Sequence, residues 1–199
     1  MDDKARTSED ETPLSLLDGL RGQSEDAWRR FVELWAPLIY ASCRKRGFDS
    51  TDSEDISQTV LVRVHKGMSG FQRDGVGKRF RFWIAGILRN EIAEFCRQRA
   101  KRPIASGGSD CQVVLSAIPA PDEDSHDDLF SPAKLMSRTL QLIRQDFRES
   151  TWRAFELVEL EKLSHSEAGE KLGMSANTVR QANFRIRKRI REEIEGFLS

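Results

Sequence analysis

Residues 164–191 read SHSEAGEKLGMSANTVRQANFRIRKRIR, and this stretch decides how the C-terminal part of the chain folds. A helix-turn-helix needs a small residue where its helices cross, a turn residue that tolerates a left-handed conformation, and an apolar residue that closes the core. Gly169, Gly173 and Val179 stand at those places, at offsets of four and ten. Gly169 replaces the alanine expected in such a motif, and Ala168 is smaller than the aliphatic residue that would fill the core best. The pattern predicts two crossed helices with an imperfect core.

The second helix of this motif is predicted to carry the contacts to DNA. Ser175 is a good N-cap, so the first turns after it would enter the major groove. Asn, Gln and Arg side chains can pair with adenine or guanine edges, and the later basic residues would contact phosphates. The candidate contacts are Ala176, Asn177, Thr178, Arg180, Gln181, Arg185 and Lys188. The alternative that the pattern leaves open is an amphipathic hairpin with a solvated basic face.

Charge is segregated along the chain, although the formal net charge is zero. Residues 60–103 hold eleven Lys and Arg against three acids, and residues 177–191 hold six basic residues and no acid. Between them, residues 104–135 carry six acids and one lysine. Two basic blocks separated by an acidic one fit two nucleic-acid contacts joined by a linker.

The composition excludes several other classes. The 199 residues are 38% hydrophobic and 32% charged, which is typical of a soluble globular protein. The sequence has no apolar run of transmembrane length and its acidic N-terminus has no signal-peptide core, so we expect no membrane insertion. Cys43, Cys96 and Cys111 are odd in number and far apart, which favours reduced thiols in a cytoplasmic protein.

Helical periodicity on both sides of the linker predicts an all-α protein with two small domains. We expect a disordered N-terminus over 1–13, a first domain over 14–102, an acidic flexible linker over 103–132 and a second domain over 133–199. Within the first domain, Pro37 would start a new helix or kink one, and Gly47 would end it. Asp52 or Ser53 would cap the following helix. The linker allows both closed and extended arrangements of the two domains.

Three motifs in this order resemble the sigma-70 family of bacterial RNA polymerase sigma factors, in its small extracytoplasmic-function type. Asp55 and Gln58 match the D-x-x-Q helix of region 2. The aromatic-rich segment of region 2 is matched by Phe80, Trp83, Ile84, Ile87, Arg89 and Asn90. Region 4 is matched by Leu163, Ser164, Glu167, Thr178, Val179 and Arg180. Thr59, where the family usually has an acid, and Asn177, where many members have glycine, depart from the pattern.

The resemblance implies partners and residue roles. The β′ coiled coil of core RNA polymerase would be contacted by Asp55, Ile56, Gln58, Leu61 and Val62. The minus-10 element of promoter DNA would be melted and one base captured through Phe71, Phe82, Trp83, Arg89, Asn90 and Arg97. The helix-turn-helix would bind the minus-35 element and the β flap, and an anti-sigma factor is a further partner that such proteins often have. Core packing is the alternative role of Trp83, and Asp55 could simply be an acid favoured by the helix dipole.

The sequence offers no catalytic constellation. His65, His126 and His165 lie in different segments, and no phosphate-binding glycine loop, metal cluster or nucleophile elbow is present. We therefore expect neither an enzyme nor a bound cofactor. Two other functions remain: a helix-turn-helix regulator whose N-terminal domain senses a ligand or dimerises, and a helical adaptor protein.

Overall fold

The computed structural model describes residues 15–71, 80–101, 130–195 and 197, and within these ranges every regular element is helical. The helices are α1 (Leu16–Arg21), α2 (Glu25–Lys45), α3 (Ser50–Gly67), α4 (Phe80–Ala100), α5 (Pro132–Ile143), α6 (Glu149–Glu159), α7 (His165–Leu172) and α8 (Ala176–Ile194). The predicted all-α class is confirmed. The expectations for residues 1–13, for most of the linker and for Cys111 lie outside the described residues.

Short polar side chains set the starts of six of these helices. Each accepts a hydrogen bond from an otherwise unpaired N–H of the first turn, which is the usual stabilisation at an N-cap. The capping residues are Ser15, Ser24, Asp49, Ser131, Ser164 and Ser175. The prediction of Asp52 or Ser53 as the cap of α3 was wrong. Asp49 accepts the N–H of Asp52 at 2.8 Å, while the Asp52 carboxylate pairs with Arg99 on α4.

Pro37 neither begins a helix nor ends one, because α2 runs unbroken from Glu25 to Lys45. A proline in a helix removes the hydrogen bond to the carbonyl four residues earlier, which here is that of Glu33. Arg138 of α5 donates to this carbonyl oxygen, with Nη2 at 3.1 Å. A side chain from the other half of the chain therefore satisfies the acceptor that Pro37 leaves open.

The N-terminal unit, α1 to α4, is built around large aromatic side chains. Phe31 and Trp35 of α2 stack with their ring centroids 5.9 Å apart, and Phe80 of α4 meets both rings edge-on at 6.0 and 5.8 Å. Phe48, in the connection after α2, is 1% exposed and packs edge-on against Phe95. Each aromatic ring removes a large apolar area from water, so a few residues account for most of this core.

The C-terminal unit, α5 to α8, contains two smaller apolar clusters. One joins α6, α7 and α8 through small side chains, namely Ala154, Leu157, Ala168, Val179 and Ala182. The other lies towards α5 and consists of Ile143, Trp152, Phe155 and Ile186. The two units also share a core: Leu135 of α5, Ile194 of α8 and Phe197 beyond it belong to the same cluster as Phe31 and Trp35. Among the two arrangements that the sequence allows, the structure has the closed one.

Candidate functional site

The helix-turn-helix is formed by α7, the turn at Gly173 and α8. Gly173 ends α7 with φ of +65°, the left-handed conformation that favours glycine. A Cβ on Gly169 would lie 2.6 Å from the carbonyl oxygen of Met174, so the turn packs directly on this glycine. Val179 of α8 is fully buried and completes the contact. The three positions predicted from the spacing are therefore confirmed, and glycine rather than alanine is what this turn accommodates.

The first turn of α7 is fixed by a reciprocal pair of hydrogen bonds. The N–H of Glu167 donates to Ser164 Oγ at 3.2 Å, and the N–H of Ser164 donates to Glu167 Oε2 at 2.8 Å. The hydrogen bonds from Ser164 lower the pKa of the Glu167 carboxyl below its usual value of 4.5. This capping box satisfies two otherwise unpaired N–H groups and fixes where α7 begins.

The exposed face of α8 carries most of the residues that the sequence predicted to contact DNA. Residues four and seven apart share one face of a helix. On α8 the face opposite the buried Val179 therefore begins at Asn177. Its exposed members among the predicted residues are Asn177, Thr178, Arg180, Gln181, Arg185 and Lys188. Ala176 is only half-exposed, and the Thr178 hydroxyl lies 2.8 Å from Ser175 Oγ at the cap. Asn177, Arg180 and Gln181 are thus the candidates for base-edge contacts.

Phe184 was missed by the sequence analysis. Its side chain is 66% exposed, and its position places it between Gln181 and Lys188 on the same helix face. A large apolar side chain left in water contributes nothing to folding, and phenylalanine is one of the residues that contact the methyl group of thymine. The signal was available, because residue 184 falls seven residues after Asn177 and outside the apolar stripe of α8.

The basic block of α8 is only partly available to DNA. Arg187 pairs with Glu159 of α6 at 2.7 Å, and Asn183 donates to the same carboxylate at 2.9 Å. The hydrogen bond from Arg187 is the main cause that lowers the pKa of Glu159, and that from Asn183 adds to it. Arg189 pairs with Asp146 at 3.1 Å and also with Glu193. By contrast, Arg180, Arg185 and Lys188 form no ion pair among the described residues.

A second polar face lies on α4, opposite its core side. Asn90 and Arg97 are exposed, while Phe82 and Arg89 are half-buried. Arg97 pairs with Glu94 at 2.9 Å. The buried Arg81 places its guanidinium 4.8 Å from the centroid of the Phe82 ring, which holds that ring at the surface.

Two of the aromatic residues predicted to contact DNA are mainly core residues. Phe71 is 8% exposed and packs against Phe80 and Trp83, with ring centroids 5.1 and 4.9 Å away. Trp83 is half-buried, and its ring lies where a Cβ on Gly67 would meet it at 2.9 Å. Packing, the alternative role that the sequence left open for Trp83, therefore fits its position, and Phe71, also named as a candidate DNA contact, is buried. Residues 72–79, between Phe71 and α4, lie outside the described residues.

A third surface is formed by α3. Asp55, Gln58 and Val62 are exposed, and Leu61 is half-buried beside them. Together with α2 they border a shallow groove lined by Trp28, Val32, Gln58, Leu61, Val62, His65 and Lys66. The expectation that Ile56 is exposed was wrong, because its side chain is 2% exposed and packs in the core. Ile56 can support this surface but does not form part of it.

Two further observations concern the described residues as a whole. No group of three or more His, Cys, Asp or Glu side chains in them could hold a metal ion. None of their helices combines the length and the apolar character that crossing a membrane requires.

Comparison with known proteins matches both units to described families. The family model for sigma-70 region 2 matches residues 31–102, and the model for sigma-70 region 4 matches residues 153–190. The first range contains the faces of α3 and α4, and the second contains the helix-turn-helix. The order of the two matches along the chain is that of the motifs in the sequence.

Two relatives align with most of this chain at low sequence identity. The chain is 24% identical to the ECF RNA polymerase sigma factor SigE of Mycolicibacterium smegmatis over 191 residues, covering 96% of this chain and 70% of the relative. It is 23% identical to the ECF RNA polymerase sigma factor SigW of Bacillus subtilis, covering 85% and 90% of the two chains. Two family models in order, a helix-turn-helix with its required glycines and these relatives agree: the chain belongs to the sigma-70 family of RNA polymerase sigma factors, in its extracytoplasmic-function group.

Proposed function

We propose that this chain binds core RNA polymerase and directs it to a subset of promoters, with α8 on the minus-35 element and α4 on the minus-10 element. The observation that carries the proposal is the presence of two separate polar faces, one on each family-matched unit. A regulator with a sensing domain needs only the second of them. As a sigma factor the chain would act in the cytoplasm and would not itself be an enzyme.

The face on α8 suits a duplex. Base edges in the major groove are read by Asn, Gln and Arg side chains, and Asn177, Arg180 and Gln181 lie exposed at the start of the helix. Arg185 and Lys188 follow where phosphates would lie, and Phe184 offers an apolar contact to a thymine methyl group. The C-terminal unit would also contact the β flap of core polymerase.

The face on α4 suits a single strand. Opening a duplex costs a few kcal/mol per unstacked base, and a protein offsets this by stacking the base on an aromatic side chain and bonding its edge. Phe82 offers an aromatic surface and Asn90, about 12 Å further along α4, offers an amide to the edge of another base, with Arg89 and Arg97 beside them for phosphates. Phe71 and Trp83 would support this face from within the core.

The face on α3 suits a protein partner. Gln58, Leu61 and Val62 line a groove that is apolar along α2, Asp55 is exposed on the same helix, and we assign this surface to the β′ coiled coil of core polymerase. A Val62 side chain 50% exposed gains from being covered, since apolar burial is favourable. An anti-sigma factor that blocks the chain would have to cover this surface or the exposed face of α8.

Run-off transcription with purified core polymerase tests the function directly. The chain is expected to co-purify with core enzyme and to start transcription from a defined set of promoters. A chain that binds duplex DNA but neither joins core polymerase nor starts transcription would instead be a helix-turn-helix regulator.

Asn90→Ala tests the minus-10 face. The variant is expected to reduce open-complex formation while leaving minus-35 duplex binding intact, because only the single-strand contact is lost. Permanganate reactivity of unpaired thymines measures the first effect, and Gln98→Ala on the same helix is the control. Unchanged permanganate reactivity in Asn90→Ala would remove Asn90 from this role.

Arg180→Ala tests the minus-35 face. Loss of one bidentate base contact costs about 1–3 kcal/mol, so affinity for the minus-35 duplex should fall about 5- to 150-fold and preference at one base pair should relax. Arg148→Ala removes the same charge at an exposed position just before α6, outside the exposed face of α8, and should leave affinity nearly unchanged. Equal affinities for the two variants would contradict the assignment.

A further inference from the structure

A buried amide lies on the inner side of α8, the helix assigned to the minus-35 element. Asn183 is 5% exposed. Its Nδ2 donates to Glu159 Oε1 at 2.9 Å, while its Oδ1 is buried and accepts no hydrogen bond from the described residues. Val179, one turn earlier on α8, and Ile186, one turn later, are fully buried apolar residues. Asn183 is therefore a polar residue at a core position.

Folding stability does not explain an amide at this position. A buried acceptor without a donor destabilises the folded state, and an apolar side chain of similar shape would avoid that loss. The surroundings favour such a side chain, because Val179 and Ile186 belong to the two apolar clusters of the C-terminal unit. What the amide contributes is its hydrogen bond to Glu159.

Glu159 holds α8 at two successive turns. It is the last residue of α6, and its Oε1 accepts from Asn183 at 2.9 Å and from Arg187, four residues further along α8, at 2.7 Å. The hydrogen bond from Arg187 is the main cause that lowers the pKa of Glu159, and that from Asn183 adds to it. Since an ionised carboxylate can only accept, it also decides which end of the amide faces α6.

These two hydrogen bonds fix the rotation of α8 about its own axis. Apolar contacts are non-directional, whereas a hydrogen bond weakens steeply when its angle changes. A rotation of about 20° would move a group about 6 Å from the helix axis by about 2 Å. Contacts to base edges require placement to within about 0.5 Å. The candidates for those contacts, Arg180 and Gln181, lie within one turn of Asn183 on the same helix.

We propose that Asn183 and Glu159 are positioning residues for DNA reading: they fix α8 in the rotation at which Arg180 and Gln181 meet base edges, and neither of them touches the DNA. The inference deepens the proposed function and rests on it, because it assumes that α8 reads a duplex. Contacts to phosphates carry no sequence information, and long basic side chains can follow a phosphate through a small rotation. Loss of the positioning therefore lowers sequence preference and leaves the general affinity for duplex DNA.

Selection from a pool of duplexes with randomised central positions tests the inference without a known promoter. The full chain is mixed with the pool, and the bound duplexes are sequenced; the parent is expected to enrich a defined sequence. Asn183→Leu keeps the shape of the side chain and removes the amide, so discrimination at the base pairs that Arg180 and Gln181 contact should fall about fivefold or more. Affinity for the unselected pool, and its dependence on salt, should stay those of the parent.

Reversal of the hydrogen bond is the rescue. Asn183→Asp places a second carboxylate against Glu159 and should lose discrimination as Asn183→Leu does. Asn183→Asp combined with Glu159→Gln exchanges donor and acceptor, because the new amide then donates to the new carboxylate, and most of the discrimination should return. General loss of folding cannot produce such a recovery.

Two controls separate positioning from folding. Thr139→Val removes a buried hydroxyl of α5 that donates within its own helix, to the Leu135 carbonyl at 2.9 Å, and should leave discrimination unchanged. In denaturant unfolding, Asn183→Leu should be at least as stable as the parent, because it removes an unpaired acceptor. A residue that served folding alone would give the opposite combination, which is lower stability with unchanged sequence preference.

The outcomes distinguish this inference from the proposed function. Enrichment of the same sequence to the same degree by the parent and by Asn183→Leu overturns the inference and leaves the proposed function in place. A parallel loss of discrimination and of affinity for the unselected pool indicates a structural role and also overturns the inference. A parent chain that enriches no sequence contradicts DNA reading by α8, and with it the inference that rests on that reading.

Discussion

The cores of the two units of this chain are packed in opposite ways. The N-terminal unit relies on bulky aromatic side chains, with Phe31, Trp35 and Phe80 in mutual contact. The helix-turn-helix relies on small residues and close backbone approach, at Gly169, Ala168 and Ala182. A large ring stabilises a core through the apolar area that it buries, whereas the close approach of Gly169 to the Met174 carbonyl fixes the angle between two helices. The unit whose α8 we propose to enter a DNA groove of fixed width is the one built on close approach.

Removal of a central ring should have the largest effect. Trp35→Ala deletes a fully buried side chain and is expected to cost about 3–5 kcal/mol of unfolding free energy. Because Trp35 also contacts Phe197, hydrogen exchange should increase both in α2 and at the end of α8. Trp152→Ala, in a cluster of the C-terminal unit, should increase exchange in α6 but not in α2. Equal exchange patterns in the two variants would mean that the cluster around Trp152 is not independent of the cluster around Trp35.

A single methyl group should distinguish the two kinds of packing. Gly169→Ala places a Cβ 2.6 Å from the Met174 carbonyl oxygen, so the turn must move, at a cost of about 1–3 kcal/mol. Gly86→Ala is the matched change in a helix of the N-terminal unit, where the nearest atom is 4.0 Å away, in the Arg89 side chain. Gly86→Ala should stabilise the chain by about 0.5–1 kcal/mol. Denaturant unfolding of both variants measures the difference, and the same sign for both would contradict the close-packed turn.

The smallest effect concerns the capping box and depends on pH. The pKa of Glu167 is lowered in the folded chain, so its carboxylate stabilises α7 above the unfolded value of 4.5 and this contribution is lost as pH falls through the folded pKa. Glu167→Gln should therefore be less stable than the parent at pH 7, and the gap should close below pH 4.5. Hydrogen exchange of α7 at both pH values measures it. A gap that stays constant with pH would show that the charge of Glu167 has no part in the cap.

Most features of the helix-turn-helix could be predicted from short stretches of the sequence. The left-handed glycine, the serine caps and the buried valine depend on neighbours within a few residues, and they were predictable for that reason. The candidate DNA contacts on α8 followed from the same periodicity, except that Phe184 was overlooked. Ile56 and Phe71 were named as contact residues from the sequence, but both are buried, because burial in the N-terminal unit depends on what α2 and α4 bring against them.

The sequence by itself determined that the chain is helical, where its turns lie, and that two basic blocks flank an acidic segment. These three properties depend on the backbone preferences of single residues, on the helical spacing of apolar side chains and on composition, all of which act over short stretches of sequence. Only the tertiary structure decided that Arg187 and Arg189 pair with acids of the chain itself, and that Arg138 donates to the Glu33 carbonyl that Pro37 leaves without a helical donor. It alone decided that Phe197 packs among rings more than a hundred residues away, because contacts between distant residues depend on shape and not on neighbouring residues in the sequence.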